Sequence, residues 1–137
     1  MKKNKKRIDT YKNDIYFIDL VVANEFVKLE DLKKLYVYSD GIEIDNFVLE
    51  GYATTCTITR KSDNKACILV KYNGPSKTKN INKTLDFVNT VSHEATHVAI
   101  DTYSFIHQNI YDNSSEPFCY LVGWATECIY KTLKNIK

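Results

Sequence analysis

Glycine and proline are scarce, with four Gly and two Pro in 137 residues. That excludes collagen-like, proline-rich and long flexible linker segments. No apolar run approaches the ~20 residues that span a bilayer. The longest, Ile15 to Ala23, is short and broken by Asp19. The four cysteines, Cys56, Cys67, Cys119 and Cys128, form no CxxC pair. A chain of this length builds a core without disulfide staples. They are expected to be free thiols, mostly buried, in a reducing compartment. The chain has no internal repeat and no low-complexity stretch.

An excess of charge of one sign is also missing. The formal net charge is +2, yet Lys2, Lys3, Lys5, Lys6 and Arg7 alone contribute five positive charges. The other 14 basic residues face 17 acidic ones, so the body is mildly acidic. Residues 1–10 are therefore expected to be a basic flexible tail, and residues 11–137 a single domain. The basic start is not followed by an uninterrupted apolar core or a small-residue cleavage site, so no secretory signal is expected. No basic helix or aromatic-basic stripe marks a nucleic-acid surface, and neither nucleic acid nor membrane is expected as a partner.

What is present is 44% hydrophobic and 26% charged residues, an ordinary globular balance. Asp14 to Val22 is rich in β-branched and aromatic residues and predicts a buried strand. Asn24 then caps a predicted helix from Glu25 to about Leu35. Asp40-Gly41 marks a turn. Glu50 to Arg60 and Ala66 to Tyr72 predict two strands of an antiparallel hairpin around the polar turn at residues 61–65. Two helices follow, from about Thr84 to Phe105 and from about Ser115 to Lys134, with Pro117 in the first turn of the second. The fold class is α+β, a small mixed sheet with a hairpin followed by two helices.

His93-Glu94-Ala95-Thr96-His97 reads HExxH. On a helix, residues i and i+4 share a face about 6 Å apart along the axis. Two imidazoles so placed converge on one zinc ion. The intervening Glu is turned about 100° away and suits a general base rather than a ligand. The helical context agrees. With Val88 at the origin, Val88, Val91, Ala95, Val98 and Ala99 fall between about 280° and 20°, while His93 and His97 fall near 140° and 180°. The pair is thus expected off the core face.

Zinc needs a third protein ligand. The extended HExxHxxGxxH pattern fails, with Ile100 and Tyr103 at its Gly and His positions. The PCxxC half of a zinc deaminase is absent as well. Asp101 shares the His face, but about 9 Å along the axis puts the same ion beyond its reach. It suits orienting a ligand or simple solvation. His107 falls in a loop and suits a surface role. Glu116 and Glu127, about 20° apart in phase on the polar front of the second helix, both remain candidates. Tyr120 and Gly123 share that front.

The order strand, helix, hairpin, HExxH helix and Glu-bearing helix resembles the small zincin metallopeptidases, specifically their gluzincin branch. HEATHVAI followed by EPFCYLVGW also resembles small zincin-like proteins of bacteriophages and gut bacteria. The likeness is plain over about residues 91–130 and looser over the sheet. It implies a compact zincin-like fold whose C-terminal helix carries the third ligand, Glu116 at its start. It also implies a Zn2+-dependent hydrolase acting on a peptide or protein substrate in the cytoplasm (a bacterial host's, for a phage-encoded chain). Glu94 is then the general base, and Tyr120 a candidate for stabilising the oxyanion, its other role being packing between the helices. No large C-terminal subdomain of the kind found in big gluzincins is expected. The rival reading is a non-catalytic zinc-stabilised structural or interaction protein of phage origin.

Overall fold

The computed structural model describes residues 5–75, 82–110 and 115–137. Among these residues nine elements follow one another. They are β1 (Ile8–Tyr11), β2 (Asp19–Ala23), α1 (Leu29–Leu35), β3 (Tyr36–Tyr38), one 3₁₀ turn (Asn46–Leu49), β4 (Ala53–Arg60), β5 (Ala66–Tyr72), α2 (Lys83–Phe105) and α3 (Glu116–Leu133). The strands form one mixed sheet in the order β1-β2-β5-β4-β3. Only β2 and β5 run parallel, with Val21 opposite Leu69. The expected hairpin is present, with Cys56 opposite Leu69 and Thr55 opposite Val70.

The period of two along β2 and β5 sorts side chains to two faces. Leu20, Val22, Ile68 and Val70 meet Val91, Ala95 and Val98 of α2 and Ala125 and Ile129 of α3. Val21, Ala23, Cys67 and Leu69 meet Val27 and Leu32 around α1, together with Ile44 and Val48. The sheet thus lies between the helix pair and α1. Both central strands are buried on both sides and read as continuous apolar runs.

The strand predicted over Asp14 to Val22 begins only at Asp19. Residues 13–17 instead form a tight turn: the Asn13 side chain accepts hydrogen bonds from the backbone N–H of Ile15 and Tyr16. Ile15 and Phe17 consequently face solvent. The first helix starts at Leu29 rather than Glu25. Asn24 Oδ1 accepts from the N–H groups of Arg7 and Phe26, which closes a local turn and joins the preceding chain rather than opening a helix. The tail expected through residue 10 is ordered sooner. Ile8–Tyr11 pairs along β2, Arg7 binds Asp9 at 2.6 Å, and Arg7 Nη2 reaches the Ile136 carbonyl at 2.8 Å. Residues 1–4 lie outside the described ones. The four cysteines are unpaired; Cys67 and Cys128 are buried, while Cys119 is exposed. No helix among the described residues is long and apolar enough to cross a membrane.

Lys71 is the anomaly in this core. It is 1% exposed at the end of β5, and its Nζ donates to the Asn24 and Tyr72 carbonyls at 3.1 and 2.6 Å. Burial pulls its pKa down to about 8, against a smaller opposing pull from the Glu25 charge. Between pH 8 and the ordinary lysine range the unfolded chain holds more protons than the folded one, so this residue's contribution to stability rises with pH. The full gain is roughly 3 kcal/mol. The thiols of Cys56 and Cys128, pushed up to about 12 by burial, act in the opposite sense above about pH 9 in any variant that keeps them. A comparison of wild type with Lys71→Met isolates the lysine. Urea unfolding should show the difference shifting in wild type's favour by roughly 1 kcal/mol per unit from pH 8 to 9.5. It should be constant below pH 7. A difference flat across the whole range contradicts the assignment.

Candidate metal and hydrolytic site

Helix α2 opens with the Asn82 side chain accepting from the Thr84 and Leu85 N–H groups, which satisfies two of its orphan donors. Its inner stripe is Val91, Ala95, Val98, Ala99 and Thr102, all buried. Val88, placed with that stripe by periodicity, is instead exposed, as is Leu85. Burial of the stripe begins only at Val91; in the first turns it is Phe87 that packs inward, against Tyr72 and Tyr130.

His93 and His97 are exposed on the other side, as their spacing predicts. Their Nε2 atoms lie 3.1 Å apart, with ring planes inclined at 68°. Two nitrogens each 2.0–2.1 Å from a tetrahedral zinc stand about 3.3 Å apart. The pair therefore fits two corners of such a site with little motion. Without metal, the same separation is a hydrogen bond once one ring carries its proton on Nε2.

Glu94 points inward and is buried at 6% exposure. Thr55 Oγ1 on β4 donates to its Oε2 at 2.5 Å. Glu94 Oε1 has no such partner among the described residues. No fully buried side-chain N or O there lacks one, so Oε1 keeps an open side. Glu94 and His93 line a cavity of about 220 Å³ with Tyr52, Ala53, Asn89 and Thr90.

The same cavity adjoins an open stretch of sheet. Strand β3 pairs only with Ile58, Thr59 and Arg60 of β4. Arg60 N–H bonds the Lys65 carbonyl, and Asn73 N–H bonds the Tyr52 carbonyl. By antiparallel alternation, Thr54, Cys56 and Ile58 direct their backbone groups to β5, whereas Ala53 and Thr55 direct theirs away from it. Among the described residues no strand pairs with that stretch. The 3₁₀ turn packs on the opposite face, where Val48 meets Ile58.

The remaining sequence candidates are dispersed. Asp101 is half-buried, and burial raises its pKa while the neighbouring His97 charge opposes that. His107 is exposed just beyond α2, with φ of 56°. Glu116 is exposed in the first turn of α3, next to residues 111–114, which lie outside the described ones. Glu127 is exposed and pairs with Lys131 at 3.0 Å. Among the described residues no three His, Cys, Asp or Glu side chains converge as a metal-binding group. The His pair is therefore not joined by Glu116 or Glu127. Tyr120 is 74% exposed and lines a separate apolar groove with Ile15, Tyr16 and Trp124.

Thr55, Tyr52, Asn89 and Thr90 were not singled out by the sequence. No short-range signal marks Thr55, whose partner is 39 residues away. No family model, curated protein or solved structure matches this chain.

Proposed function

We propose that the chain is a zinc-dependent peptidase of compact zincin type. The observation that carries this reading is one stretch of α2. It presents two imidazole nitrogens at near-zinc spacing and turns the intervening carboxylate into an adjoining cavity. His93, His97 and Glu116 would hold the metal. Glu116 is favoured by the sequence resemblance alone, since the described residues bring neither it nor Glu127 to the pair, and it would have to approach the imidazoles for the metal to bind. Bound zinc supplies Lewis-acid activation of water and of a carbonyl. Glu94 Oε1 accepts a proton from the attacking water and passes it to the departing amine. The open edge at Ala53 and Thr55 receives an extended peptide by backbone pairing.

Cleavage of a broad peptide library tests the proposal, with mass spectrometry as readout. The zinc-loaded protein is expected to cut a restricted set of peptides, and chelation to abolish the cutting. No cleavage across the library, with zinc bound stoichiometrically, would leave the non-catalytic zinc module as the correct reading.

A further inference from the structure

Glu94 is the only member of its motif tied directly to the sheet by a side-chain hydrogen bond among the described residues, and the tie is Thr55. A glutamate has three rotatable side-chain torsions, and a base works only within a narrow geometry. The Thr55 hydroxyl claims Oε2 and so leaves Oε1 as the oxygen available to the cavity. Thr55 is itself stiff, since its β-branch restricts χ1. Strand alternation does the rest. Its side chain faces α2, while its own N–H and C=O lie in the open edge of β4. One residue thus touches both the carboxylate and the edge available to an extended chain.

We infer that Thr55 is a positioning residue. It orients Glu94 through its hydroxyl and sets the register of the bound peptide through its backbone. This inference rests on the peptidase reading. The hydroxyl itself touches only Glu94, so its loss acts on turnover rather than on metal or substrate affinity. Valine keeps the shape and β-propensity of threonine and replaces the donor hydroxyl with a methyl group.

The test uses the full chain, zinc-loaded, with a peptide found to be cleaved by wild type. Thr55→Val is expected to lower kcat by about 10- to 100-fold. KM and bound zinc should stay within about twofold of wild type, because backbone pairing and the His pair are untouched. Thr55→Ser restores the hydroxyl and is expected to recover kcat to within about threefold. Thr55→Ala gives the same reading as valine if the added methyl disturbs packing. Wild-type kcat in both Thr55→Val and Thr55→Ala overturns the inference. So does an equal loss in Thr55→Ser, or a loss that tracks zinc content or folded fraction, which marks a purely structural pin. A wild type that cleaves nothing overturns the peptidase reading and this inference with it, and that outcome is visible before any variant is compared.

Discussion

Glu94→Gln is expected to lower peptide hydrolysis by about 10²- to 10⁴-fold, the usual range for losing a general base. That corresponds to roughly 3–5 kcal/mol of barrier. The substitution is close to isosteric, and the carboxamide oxygen can still accept from Thr55 Oγ1. The side chain therefore keeps its place and loses only its basicity. Bound zinc should be unchanged, because Glu94 is not one of the proposed ligands and its amide keeps the hydrogen bond from Thr55. Burial without charge is no penalty here, so stability should hold or rise slightly. Steady-state turnover on the best library peptide, with zinc measured on the same sample, checks this. A drop of less than threefold would remove Glu94 from the chemistry.

His97→Ala carries the other large effect. Loss of a partner outside the ligand set typically costs 10- to 100-fold in metal affinity, and loss of a ligand itself should exceed about 10²-fold. The fold should not suffer. His97 is exposed on mid-helix, and alanine is the better helix former. Zinc loss in this variant then reports coordination, not unfolding. The 3.1 Å separation of the Nε2 atoms is the reason to expect a large effect: two donors already close to their final spacing need little reorganisation, so removing one forfeits nearly its whole contribution. His93→Ala should behave alike. Competition against a chromophoric chelator, with circular dichroism as the folding control, measures it.

The parts legible from sequence are those governed by local period. The hairpin and both long helices follow from alternation, turn residues and helical apolar periodicity, and their bounds fall within a few residues of those expected. The His pair is legible for the same reason, since i and i+4 fix a shared face wherever the helix packs. Elsewhere a tertiary partner decided the outcome. Ile15 and Phe17 read as strand, yet the Asn13 side chain gathers the backbone into a turn and turns them outward. Val88 keeps the helical phase of the core yet is left exposed, which the phase alone does not reveal. Strand β3 is three residues long and forms against β4 at the end of α1, too short for any pattern to register. The Thr55–Glu94 contact and the open edge of β4 depend on how the sheet meets α2, which no spacing encodes. Glu116 and Glu127 share a helical phase, and phase alone assigns neither as a ligand.

The most direct test of the account is zinc stoichiometry by elemental analysis of the purified chain and its His97→Ala, Glu116→Ala and Glu127→Ala variants, dialysed against the same zinc-containing buffer. The account predicts about one zinc per wild-type chain, loss in His97→Ala and Glu116→Ala, and full retention in Glu127→Ala. A wild type that binds no zinc, or one whose zinc survives loss of His97, would contradict it.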